Sequence, residues 1–169
     1  MKIRNSVFFI FLFSFFIFGN NPGYIVKVGD MAPDFEMEFI DGAKSRLSDY
    51  RGQIVIIQFT ASWCSVCRLE MPHLEKDVWQ KYKDQGVMLI GVDRDEPLET
   101  VLKFQKDIGT TYPLALDPGA NIFGLFANKE AGVTRNVVID KSGKIVFLTR
   151  LFEEKEYQQM LKVIAGLIS

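Results

Sequence analysis

The stretch TASWCSVCRLEMP, residues 60–72, holds both cysteines of this 169-residue chain and one of its two tryptophans. Two cysteines separated by two residues fit half of a metal site, a structural disulfide or a redox centre. The flanking sequence decides among them. Upstream, IVIIQF (54–59) is a nearly continuous apolar run rich in β-branched residues, the pattern of a strand buried on both faces. Downstream, Met71, Leu74, Val78 and Tyr82 recur at helical spacing until Gln85-Gly86 closes the segment. Cys64 therefore falls in the first turn of a helix, where unpaired N–H groups and the positive end of the helix dipole stabilise a thiolate. Cys67 lies one turn later on the same face and within disulfide reach. A zinc site needs about four ligands, and the chain adds only His73 to its two cysteines. A structural bridge across so short a loop would stabilise little. Position thus favours a redox pair in which Cys64 attacks and the less exposed, less acidic Cys67 resolves.

The rest of the chain supplies one α/β domain. Residues 35–39 alternate like an edge strand, with a turn at Asp41-Gly42. From the IVIIQF strand onward the order reads β-α-β-α-β-α-β-β-α. The segments after the cysteine helix are a buried strand over 86–92, a helix over 97–108 with Leu98, Val101, Phe104 and Ile108 on one face, and a strand over 112–116. A short helix over 120–126 follows, then strands over 137–139 and 144–148 around the turn Asp140-Lys-Ser-Gly143. An amphipathic helix over 154–167 closes the chain.

Composition is globular, with 48% hydrophobic and 24% charged residues and a formal charge of −1. That balance speaks against a nucleic-acid footprint. Seven of the fifteen phenylalanines fall within residues 8–18, behind Lys2 and Arg4. The twelve-residue apolar run 7–18 suits a signal-peptide core, whereas a spanning helix needs roughly twenty apolar residues. Ile17 spoils the cleavage site, so residues 1–20 are expected to be a signal peptide or an N-terminal membrane anchor ahead of a domain over 28–169. The chain is then exported, to the periplasm or the outer face of the cytoplasmic membrane, where cysteines meet an oxidising compartment.

TASWCSVCRLEMP is similar to the active-site segment of the thioredoxin superfamily, and W-C-x-x-C-R-x-E-x-P resembles its TlpA-like branch of exported thiol-disulfide oxidoreductases. GDMAPDFEMEFIDGAKSRLSDYRGQ (29–53) resembles the opening of the same redoxin, or AhpC/TSA-like, domain, and VVIDKSGKIV (137–146) resembles its late hairpin. The resemblance implies a thioredoxin-like fold: a mixed central sheet flanked by helices, with an N-terminal hairpin extension and a central αβ insert. It implies catalysis by Cys64 and Cys67 as a redox-active disulfide, with no cofactor and no metal. Protein disulfides or dithiols are the implied substrates, with a membrane thiol as electron donor.

The same resemblance gives supporting roles to Trp63, as a shield of the dithiol, and to Glu70, as a carboxylate that tunes the thiols or relays a proton. A surface glutamate is the plain alternative for Glu70, and a packed aromatic the plain alternative for Trp63. Gln58 stands where thioredoxins carry a buried aspartate, and Pro72 is expected to kink the helix. Thr134 occupies the place of the cis-proline that faces the cysteines in the family. A cis bond to a non-proline costs about 2.5–4 kcal/mol, so the Val133–Thr134 bond is expected to be trans.

Two rival readings remain. Peroxiredoxins share the APDF opening and use an arginine near the late strand, here Arg135, but Ile56 stands at their motif proline and Thr60 lies four residues before Cys64. Arg135 is more simply a loop arginine. A copper metallochaperone would use both cysteines and a methionine, yet the methionines are scattered.

Overall fold

The structure is a computed structural model and describes residues 23–168. The apolar run 7–18 lies outside the described residues. Among the described residues, no helix is long and apolar enough to cross a membrane.

Seven strands form one mixed sheet: β1 (Glu36–Phe39), β2 (Lys44–Arg46), β3 (Ile54–Thr60), β4 (Val87–Arg94), β5 (Leu114–Asp117), β6 (Arg135–Ile139) and β7 (Ile145–Arg150). Their order across the sheet is β2-β1-β5-β4-β3-β6-β7. β3 pairs parallel with β4 and antiparallel with β6, so the strand that leads into the cysteines sits inside the sheet. All seven of its residues are buried. That is the outcome of the IVIIQF run, which has no polar face to offer water.

β1 is not the edge strand its alternation implies. It lies between β2 and β5, and its alternating exposure arises because only one face is covered. The β1–β2 hairpin is the N-terminal extension, and it joins the domain through β5. Asp41-Gly42 forms its turn, with Gly42 at φ +85, a left-handed conformation open to glycine at little cost.

The helices are α1 (Ser65–Leu74), α2 (Gln80–Tyr82), α3 (Leu98–Ile108), α4 (Phe123–Phe126) and α5 (Glu154–Ile168). A π-helical turn at Glu75–Trp79 joins α1 to α2. Pro72 was expected to kink the helix, but α1 runs through it to Leu74, and the wider turn begins after it, where the Glu75 N–H is shared between the carbonyls of Met71 and Pro72. α3 and β5 make the αβ unit that extends the parallel part of the sheet beyond β4. Val101 and Phe104 of α3 are buried as its periodicity implies, but Leu98, placed on the same face, is exposed. It is the first residue of α3 and lies beyond the packed stripe.

Two apolar layers follow from the alternation of β3. Ile54 and Ile56 pack with Met71, Leu74 and Val78 beneath α1 and with Met160 and Ile164 of α5. Val55, Ile57 and Phe59 face the other way, onto Phe123 and Phe126. The Phe59 and Phe123 rings meet edge to face at 5.2 Å between centroids.

Candidate active site

The end of β3 delivers Cys64 to the N-cap of α1 in extended geometry. Its Sγ accepts the Cys67 backbone N–H at 3.2 Å, doing with sulfur what serine or aspartate oxygen does at other helix starts. The two cysteines are joined as a disulfide, with Cα atoms 5.3 Å apart. Cys67 is fully buried and Cys64 nearly so. A thiolate on Cys64 would keep the Cys67 N–H as donor and face the helix dipole, and both favour the charged sulfur.

Thr134 closes the other side. Its Oγ1 lies 3.1 Å from Cys64 Sγ and 3.3 Å from Cys67 Sγ. No peptide bond between described residues is cis, as expected for a threonine in this place. The hydroxyl stands over both sulfurs and can turn its proton to whichever one carries charge. A hydrogen bond to a charged group is worth about 1.5–3 kcal/mol. Thr134→Val should therefore raise the Cys64 pKa by about one to two units and make the couple roughly 30–60 mV more reducing, because the reduced form loses its donor. Thiolate absorbance against pH and a glutathione redox titration read the two effects.

Glu70 is not a surface residue. Only 1% of it is exposed, because it follows Cys64 and Cys67 along the stripe of α1 that faces the sheet. Its Oε2 accepts from Gln58 Nε2 at 3.0 Å and its Oε1 from Asn136 Nδ2 at 2.6 Å. Tyr112 fixes the direction of this chain by donating its hydroxyl to Gln58 Oε1 at 2.6 Å. Burial holds that phenol well above its ordinary range, so it remains a donor. Gly91, opposite Gln58 in the sheet, leaves room for its neighbours: a Cβ there would collide with the Leu114 side chain first and would also crowd the Tyr112 ring at 3.2 Å. Burial pushes the Glu70 carboxyl up to about 7 against the pull of its two amide donors. Such a group exchanges a proton readily at neutral pH.

Trp63 is 65% exposed and so is not the packed aromatic that was its plain alternative. Arg135 is also corrected: it begins β6 rather than a loop, is 2% exposed, and its guanidinium lies 4.6 Å from the centre of the Tyr24 ring. Thr60, the residue a peroxidatic reading would use, donates to Met71 Sδ at 3.4 Å and is buried beneath α1. Asn136 and Tyr112 were not foreseen in this site. A single amide inside the apolar strand run RNVVI was the available signal for Asn136, as the lone glutamine in IVIIQF was for Gln58.

This arrangement joins a helix-capped disulfide, a hydroxyl over both sulfurs and a buried carboxyl pushed up to about 7. The profile of the AhpC/TSA family matches residues 28–148. The chain belongs to the AhpC/TSA family. Within it, the chain is 33% identical over 140 residues to the thiol-disulfide oxidoreductase ResA of Geobacillus thermodenitrificans, covering 82% of this chain and 79% of that one. A solution structure from Bacteroides thetaiotaomicron, titled as a candidate protein disulfide isomerase, is 56% identical, with a TM-score of 0.84 over 86% of this chain and 92% of that one. The crystal structure from Chlorobium tepidum titled as a candidate thiol:disulfide interchange protein DsbE is 27% identical, with a TM-score of 0.73 over 85% and 99%. The fold is that of the thioredoxin superfamily, and the protein is a thiol-disulfide oxidoreductase. The peroxiredoxin reading is the less favoured one.

Proposed function

We propose that the protein reduces disulfides of partner proteins on the outer side of the cytoplasmic membrane, with Cys64 as nucleophile and Cys67 as resolving thiol. The observation that carries this reading is the Cys64–Cys67 disulfide at the start of α1, with the Thr134 hydroxyl over both sulfurs. In the reduced enzyme the Cys64 thiolate attacks one sulfur of the partner disulfide. A mixed disulfide forms and one partner thiolate leaves. Cys67 then loses its proton, attacks Cys64 Sγ and expels the second partner thiolate, leaving the enzyme disulfide. Glu70 is the nearby group fitted to accept that proton, since it lies one turn beyond Cys67 and its carboxyl holds a proton up to about 7. Trp63 offers an exposed apolar face beside Cys64 for the partner. A membrane thiol returns the electrons.

Residues 1–20 serve as export signal or tether in this reading. The basic start and the length of the apolar run 7–18 support it.

Three assays separate this function from its rivals. The reduced protein should open disulfides of a small bridged protein at catalytic rate, with dithiothreitol as electron source. It should consume hydrogen peroxide no faster than a free thiol, and it should not retain Cu(I) stoichiometrically through a desalting column. Rapid peroxide turnover with no opening of protein disulfides would overturn the proposal.

A further inference from the structure

The loop that carries Trp63 and Cys64 is held by a side chain from another strand connection. Glu96, just after β4, accepts the Ser62 backbone N–H on Oε2 at 2.5 Å and the Ser62 hydroxyl on Oε1 at 2.6 Å. Arg68, in the first turns of α1, donates Nε to the Ser62 carbonyl at 2.7 Å, and its guanidinium rests 5.0 Å from the centre of the Phe104 ring of α3. All three polar groups of Ser62 are thus fastened, two residues ahead of the nucleophile. Glu96 is itself aimed by its neighbours. Asp95 before it is left-handed, at φ +61, and is pinned by its N–H to the Asp117 carbonyl and by Oδ1 to the Gly119 N–H. Pro97 after it favours extended backbone at Glu96.

Asp93 lies behind this clamp. It is fully buried on β4, and neither carboxyl oxygen meets a donor. The charged groups acting on it are Glu96 foremost and Asp117 of β5, both acidic. Asp117 is occupied by the N–H groups of Ile122 and Phe123. A buried carboxylate facing two others is costly, and a proton on Asp93 relieves it by turning Asp93 into a donor toward Glu96.

We propose that Glu96 is a positioning residue for Cys64, and that Asp93, holding a proton shared toward Glu96, is the latch that keeps Glu96 on Ser62. The proposal rests on the exchange function of Cys64 but concerns the loop that presents it. Loss of the Asp93 proton sets two like charges against each other, pushes Glu96 off Ser62 and frees the Trp63–Cys64 loop. Burial, with Glu96 and Asp117 nearby, pushes the Asp93 carboxyl up to about 8, so the latch is shut at neutral pH and opens in mild alkali.

The test uses the oxidised protein, in which neither cysteine titrates, so its readout does not depend on exchange activity. In a Trp79→Phe background, Trp63 is the sole tryptophan. Its fluorescence should show a one-proton step near pH 8, absent from Asp93→Asn, whose amide donates to Glu96 without a proton to lose. Asp93→Ala and Glu96→Gln should each slow protein-disulfide reduction roughly tenfold or more by misplacing the nucleophile, with Asp93→Asn recovering most of the loss. Carboxyl carbon-13 titration of the unsubstituted protein reads the same proton should the variants not fold. A Trp63 step that persists in Asp93→Asn, no aspartate titrating near 8, or full exchange activity in Glu96→Gln would overturn the proposal.

Discussion

Cys67→Ser is expected to accumulate a mixed disulfide on Cys64 with a bridged protein substrate, while Cys64→Ser forms no adduct and loses exchange by at least about three orders of magnitude. The asymmetry follows from where α1 begins. Cys64 is the cap: its sulfur takes the Cys67 N–H and lies at the positive helix end. Cys67 is one turn inside the helix and fully buried, so a partner disulfide reaches it only by way of Cys64. Removing Cys67 therefore stops the reaction after its first bond exchange, and removing Cys64 stops it before. Mass spectrometry under non-reducing conditions distinguishes the two. An adduct on Cys67 in the Cys64→Ser protein, with none on Cys64 in the Cys67→Ser protein, would reverse the assignment.

Glu70→Gln should change both stability and turnover. The folded carboxyl holds its proton up to about 7, against an ordinary 4.5. Between these values the folded protein is protonated at Glu70 and the unfolded chain is not, so stability falls as pH rises, by about 1.4 kcal/mol per unit. The contribution is fully present below 4.5 and gone above 7, about 3 kcal/mol in all. Asp93 drives stability in the same direction up to about 8. Glu70→Gln should therefore flatten part of the fall between pH 4.5 and 7 and leave the part above 7. Urea denaturation across this range measures it. If Glu70 takes the Cys67 proton, as proposed, it should also matter to rate. Without it, resolution of the mixed disulfide slows by about 10²-fold at neutral pH, while its formation on Cys64 is little changed. Equal slowing of both steps would mean that Glu70 acts on the fold rather than on the proton.

How much of this was legible in the chain depends on the range of the interactions involved. IVIIQF announces a strand buried on both faces because burial removes any need for polar alternation, and the cysteines follow from it by distance along the chain. The helical stripe from Met71 to Tyr82 was equally local. The place of β1 was not, since an alternating strand reads the same at an edge and inside a sheet with one face open. Glu70 was undecided for a similar reason. Its position on the inner stripe is local, but its burial depends on Gln58 of β3 and Asn136 of β6 meeting beneath the helix. Arg135 was read as a loop arginine, whereas it is the buried first residue of β6. What the pattern could not contain was the Tyr24 ring that packs on it. Thr134 showed the departure from the family plainly, while its reach to both sulfurs needed three dimensions.

In the proposed cycle Cys64 and Cys67 act as one two-electron couple toward protein disulfides. A single turnover tests it most directly: the protein is reduced, freed of reductant and mixed with an equimolar bridged protein, and thiols are counted on each partner after acid quench. Each Cys64–Cys67 disulfide formed should be matched by one substrate disulfide opened to two thiols. Substrate disulfides left intact while the enzyme keeps both of its thiols would contradict it.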